Sequence, residues 1–194
     1  EAVINSDQPE ELANILGQNF RLGEIEAAIA REQLHKLPGL VASRQHAAAR
    51  LTQALSRLPG LTPPQVSANA THVYYVYGIT LDLEKLNCDR AWIVQALKAE
   101  GVTGLLEGYQ NIHLNPLFRH RIAYGTKGFP WTGLRSGDSN ICYGPGLCPV
   151  AEHLHQHSFT GLLLTAHAFT DEEVDFVISA FEKVWAYIAA GSVI

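Results

Sequence analysis

From Leu22 onward apolar positions recur with a helical period. Leu22, Ile25 and Ile29 fall at i, i+3 and i+7, and Ala27, Ala28 and Ala30 leave room for close packing. Residues 1–18 read as a short helical or irregular lead-in. Pro38-Gly39 punctuates the helical run, and a second helix follows with Ala48, Leu51, Leu55 and Leu58 on one stripe. It stops at Pro59-Gly60, ahead of the Pro63-Pro64 turn. The period then falls to two: Val73, Tyr75, Tyr77, Ile79 and Leu81 share one face of a strand predicted over 72–81. Tyr74 and Val76 make the other face apolar as well, which predicts an interior strand covered on both sides.

A helix over 89–100 buries Trp92, Ile93, Ala96 and Leu97 and closes at Gly101, and a short strand over 102–106 follows. Residues 108–147 break every period and are rich in glycine, aromatics and histidine. A long irregular stretch inside a compact domain is more often functional than idle. Beyond it lie a short helix over 149–157, a strand over 159–164 and a last helix. That helix opens with a capping box, Thr170 and Glu173, and buries Val174, Val177, Ile178, Phe181, Trp185 and Ile188. The order predicts an α/β fold of the α+β kind: a small, mostly antiparallel sheet packed with helices.

Composition narrows the function classes. The chain has 194 residues, 47% hydrophobic and 17% charged, with a net charge of −5. An acidic balance argues against nucleic acid as a partner, since phosphate binding leaves a basic patch. No apolar run reaches the ~20 residues of a membrane span, and the start lacks the basic and apolar regions of a signal peptide. Three cysteines, Cys88, Cys142 and Cys148, do not form a secreted disulfide framework, so a reducing cytoplasm is the expected setting. The chain begins at Glu1 and holds no methionine, which predicts a segment of a longer protein.

Four groups of residues are candidates for chemistry. Asn19-Phe20-Arg21 sits at a helix mouth, where unpaired N–H groups attract phosphates; from spacing alone, a helix cap with an exposed arginine is the favoured account. The loop from Gly108 to Pro116 gathers hydroxyl, amide and imidazole groups suited to polyols, or is a turn-rich connection into a short helix. His153, His155 and His157 alternate near Cys142 and Cys148; on a helix, His153 and His157 take a zinc-binding spacing, or simply face solvent. Lys127 lies in a glycine- and aromatic-rich loop, as a desolvated nucleophile or a solvated surface lysine.

Several of these stretches line up in order with one family. Gln18-Asn19-Phe20-Arg21-Leu22, Glu24 to Ile29, and Gln33-Leu34-His35-Lys36-Leu37 resemble the "N-[YF]-R-[ML]-x-E-x-x-A-A-I" stretch of the DegT/DnrJ/EryC1/StrS sugar aminotransferases. His72 to Tyr77 resembles the family's "H-x-Y-x-x-Y" strand, and Tyr109 to Pro116 its "H-Y-x-P-x-H-x-x-P" loop. Cys148-Pro149-Val150-Ala151-Glu152 is similar to its "P-x-A-E" helix start, and Thr170 to Val174 to its last-helix opening. Two positions depart from the pattern: Gly108 stands where the loop often has histidine, and Asn111 where proline is common. Ile122–Cys142 reads as an insertion of a subgroup.

The resemblance implies the C-terminal domain of a fold-type I pyridoxal-phosphate aminotransferase. Residues 1–60 would form a helical segment on the dimer and cofactor side, and 61–194 a small α/β domain. The parent would pass an amino group, from glutamate, to a nucleotide-linked keto-sugar, as in polysaccharide biosynthesis. It would work as a homodimer with shared sites, in the cytoplasm, with no nucleic-acid or membrane partner. Asn19 matches the asparagine that reaches the cofactor phosphate of the other subunit. Arg21, Tyr109 and His113 match substrate-side positions.

In the family the Schiff-base lysine lies before the Asn19 motif, so this segment is expected to hold no catalytic residue of its own and to be inactive alone. The alternatives are a non-catalytic regulatory module of the same fold, or a His/Cys metal protein. An excised segment is expected to expose apolar surface and self-associate.

Overall fold

The computed structural model describes residues 20–108, 110–124, 127–132 and 141–191. The chain divides into two compact units, Glu1–Gly39 and Leu40–Ile194. The first unit shows, from Phe20, a short extended lead and the opening of helix α1 (Glu24–Leu55), with Phe20, Leu22, Ile25, Ile29, Leu34 and Leu37 exposed. The helix runs on through Pro38, where the sequence predicts two separate helices. An internal proline removes one donor and crowds the carbonyl four residues back, costing about 3 kcal/mol. The Ala-, Leu- and Gln-rich flanks are strong helix formers and offset it, so the punctuation survives only as the division between units at Gly39. Residues from Leu40 onward belong to the second unit.

The second unit is built on four strands, β1 (Leu61–Thr62), β2 (Tyr77–Leu81), β3 (Leu105–Glu107) and β4 (Phe159–Leu162), in the order β1-β2-β4-β3 with every pairing antiparallel. Tyr77 faces Leu162 and Ile79 faces Thr160. Side chains alternate across a sheet, so one face carries Tyr77, Ile79, Leu81 and Leu162, all buried. The C-terminal half of α1 covers that face with Ala47, Ala48, Leu51 and Leu55, together with Ile93 and Leu97 of α3 (Arg90–Ala99) and Val174, Phe181 and Trp185 of α6 (Asp171–Ala189). Trp185 Nε1 donates to the Pro59 carbonyl at 2.8 Å, so the largest indole in the core leaves no polar atom stranded.

β2 lies between β1 and β4, but it is not covered on both sides as its apolar pattern predicts: Gly78 is half-buried and Thr80 exposed on the second face, and the strand begins at Tyr77 and not at His72. Tyr74 is left-handed at φ 49°, and its N–H donates to His72 Nδ1 at 2.8 Å. This local turn ends the extended run, leaving Val73 and Tyr75 exposed instead of in the core. A one-turn helix, α2 (Leu83–Leu86), links β2 to α3, whose cap Asp89 accepts from the Trp92 N–H. The capping box of α6 forms as predicted, Thr170 and Glu173 bonding each other's backbone N–H. Two short helices, α4 (Pro116–Arg119) and α5 (Pro149–His153), complete the fold.

Candidate functional site

The irregular stretch after β3 turns once through a short tight helix, Ile112–Leu114, before α4. Pro116 starts α4, where a missing N–H costs nothing. This loop is fixed from a distance. His113 Nε2 lies 2.9 Å from Glu152 Oε1, and both side chains are nearly buried at 11% and 12% exposure. Glu152 sits on α5, and its carboxylate also accepts the N–H of Gly146 at 2.8 Å and of Cys148 at 3.1 Å. These backbone donors, chiefly Gly146 and then Cys148, with His113 behind them, hold the carboxyl below the usual range. An ionised carboxylate can only accept, so the His113 nitrogen facing it carries the proton. The loop and the start of α5, 39 residues apart in sequence, are joined by this one bond.

After α5 the helix widens into a π turn over Leu154–Ser158. Such turns misalign carbonyls and recur at functional sites. Here Arg90, in the first turn of α3, gathers them: its Nη1 donates to the carbonyls of His155 at 2.7 Å and Phe159 at 3.1 Å. Gly108 meets the same turn. It lies at φ +77°, donates to the Phe159 carbonyl, and leaves only 2.5 Å between a would-be Cβ and the His155 carbonyl oxygen. The glycine is therefore required where the family-like loop often has histidine.

Gln110, Asn111, Ala151, Leu154, His155 and Phe159 line a cleft of about 260 Å³ between the loop and the turn. Asn111 Nδ2 and His155 Nδ1 are buried without a hydrogen-bond partner among the described residues, as are Arg90 Nε and Ser158 Oγ.

Of the residues singled out from sequence, Asn19 and Tyr109 lie outside the described residues. Arg21 is exposed in the first unit, and His113 is in the second, bonded to Glu152. Lys127 is exposed, and Trp131 close to it is buried edge-on to Phe118. The rings of His153 and His157 stand 5.4 Å apart, while among the described residues no three His, Cys, Asp or Glu side chains gather as a ligand set. Sequence reasoning noted Glu152 only as part of a helix start and missed Arg90 altogether, because neither partner set is local. No helix among the described residues is long and apolar enough to cross a membrane.

Comparison with known proteins agrees with this architecture. The pattern of the DegT/DnrJ/EryC1/StrS aminotransferase family matches residues 4–136. GDP-perosamine synthase of Caulobacter vibrioides is 27% identical over 172 residues, covering 88% of this chain and 39% of that protein. The dTDP-4-dehydro-2,6-dideoxy-D-glucose 3-dehydratase of Saccharopolyspora spinosa is 32% identical over 112 residues, covering 56% of this chain and 24% of its own. An aminotransferase structure from Psychrobacter cryohalolentis superposes with a TM-score of 0.63 at 23% identity, covering 96% of this chain and 44% of that one. The chain thus spans less than half the length of these proteins.

Proposed function

The chain belongs to the DegT/DnrJ/EryC1/StrS aminotransferase family, and from that premise we propose that it serves as the acceptor-side domain of a pyridoxal-phosphate enzyme. That enzyme transfers an amino group, from glutamate, to a nucleotide-linked keto-sugar, and works as a homodimer. The observation that carries the reading is the His113–Glu152 bond, which ties two family-like motifs into one rigid wall. On this reading His113 is a positioning residue: it spends its Nε2–H on Glu152 and so sets the path of the loop that begins at Tyr109. Asn19 and Arg21 serve the cofactor phosphate and the substrate of the partner subunit.

Pyridoxal phosphate supplies the electron sink for amine transfer. On this reading its covalent anchor is assigned to no residue of this chain. All five lysines, Lys36, Lys85, Lys98, Lys127 and Lys183, are exposed. The contribution of this chain is therefore binding and orientation: a loop held still by a carboxylate, a turn whose carbonyls are satisfied by Arg90, and a cleft between them.

The test is to supply the gene product that carries this sequence with glutamate and a panel of nucleotide-linked keto-sugars. Amino-sugar and 2-oxoglutarate should form in equal amounts, and His113→Ala should raise KM more than it lowers kcat. Loss of water from the sugar ring without amine transfer would instead favour a dehydratase, the activity named for the 32% identical relative. Neither product would refute both readings.

A further inference from the structure

The cleft between the loop and the π turn combines three apolar surfaces, Ala151, Leu154 and Phe159, with polar groups that are buried and unspent. Asn111 is 7% exposed, and its Nδ2 has no partner among the described residues; neither has His155 Nδ1. A buried polar atom left unpaired costs about 1–3 kcal/mol, so two of them in the lining of one cleft mark a place where something else completes the bonds. The larger cleft between α3 and α6, about 450 Å³ and walled by Trp92 and Tyr187, offers a contrast. Lys183 and Glu100 at its edge already pair at 2.7 Å, and among the described residues its lining holds no buried polar side-chain atom without a partner.

We propose that the Asn111–His155 cleft is a subsite for a neutral hydroxylated ring, a single sugar unit. Asn111 Nδ2 would donate to one hydroxyl, and His155 Nδ1 would bond a second. The donor set excludes most alternatives. An amide and an imidazole carry no fixed charge, and hydroxyls, which both donate and accept, satisfy either tautomer of His155. The nearby cation of Arg90 does not line the cleft, and its Nη1 spends itself on the carbonyls of His155 and Phe159. The apolar surfaces suit the C–H face of a sugar ring. A volume of about 260 Å³ lies just under the ~300–1,000 Å³ of small-molecule sites, which fits one ring and not a nucleotide.

Asn111 stands where the family-like loop commonly has proline, which carries no such donor. Its φ of −79° is one that proline also adopts, so the backbone does not account for the amide. The inference rests on the sugar-acceptor reading above and sharpens it to two residues.

The test is saturation-transfer NMR on the full chain with methyl α-glucopyranoside, methyl α-mannopyranoside and methyl α-galactopyranoside, alongside cyclohexanol and inorganic phosphate. At least one glycoside should receive saturation on its ring protons and bind more tightly than cyclohexanol or phosphate. Asn111→Leu and His155→Phe should each weaken it about five- to tenfold, the cost of one lost hydrogen bond. Far-UV circular dichroism checks that the variants fold, and the isosteric Asn111→Asp replaces any that does not.

The proposal is overturned by no transfer to any glycoside, by glycoside binding indifferent to both sites, or by phosphate binding more tightly than the sugars. Glycoside binding needs neither amino donor nor cofactor. Its failure leaves amine transfer standing, and failure of amine transfer with a glycoside bound leaves the subsite standing.

Discussion

A methyl group at Gly108 is the sharpest probe of how the loop is built. Gly108→Ala places an L-residue at φ +77°, which costs about 1–2 kcal/mol. The new Cβ would also lie 2.5 Å from the His155 carbonyl oxygen and 3.1 Å from its Nδ1. The nearer atom is backbone, so relief requires the π turn itself to move, an overpacking cost of about 1–3 kcal/mol. The sum is about 2–5 kcal/mol, and at ~2–4 °C per kcal/mol for a chain of this size the melting temperature should fall by about 10 °C.

Gly39→Ala is the matched control. Nothing lies within 4 Å of its Cβ, and the residue sits inside α1, so the change should stabilise by about 0.5–1 kcal/mol. Thermal unfolding followed by far-UV circular dichroism reads both. Melting of Gly108→Ala within ~2 °C of the parent would refute the close approach of loop and turn. Restoring the family-like histidine at this position should be at least as costly as alanine, because its Cβ occupies the same place.

Other perturbations separate the core from the site. Phe181→Ala removes a fully buried ring stacked on Trp185 and should cost about 3–5 kcal/mol in urea unfolding; a cost under ~1 kcal/mol would show that the helices do not pack on the sheet as described. Glu152, Asp171 and Glu173 all have depressed pKa values. The causes are the Gly146 N–H for Glu152, His46 and then Arg50 for Asp171, and the Thr170 N–H for Glu173. A depressed carboxyl stabilises fully above its ordinary value of 3.8 or 4.5 and loses that contribution as the pH falls through its folded value. Melting temperature should accordingly hold steady near neutrality and drop below about pH 4, and a flat profile there would contradict the ionised pairs.

Much of the frame was legible in the sequence because its signals are local. Thr170 and Glu173 announce α6 within four residues, and Asp89 does the same for α3. The overextended strand shows the limit of periodicity. Val73 and Tyr75 keep the alternation, but Tyr74 turns left-handed with its N–H donating to His72 Nδ1, which no period-two pattern encodes. Pro38 misled for a different reason, since its local cost is outweighed by the formers on both sides.

The site was less legible. His113 was marked by its resemblance, yet its partner Glu152 lies 39 residues on, and Arg90 reaches the turn across 65. Asn111 sits in a stretch without periodicity and His155 stands out only as one of three alternating histidines, and what joins them is that Asn111 Nδ2 and His155 Nδ1 are both buried.

The account stands most directly on where the amino nitrogen goes. Glutamate labelled with a heavy nitrogen isotope, given to the gene product that carries this sequence together with nucleotide-linked keto-sugars, should deliver that label to a carbon of the sugar ring as a primary amine. A sugar product without the label, or no change in any sugar of the panel, would contradict it.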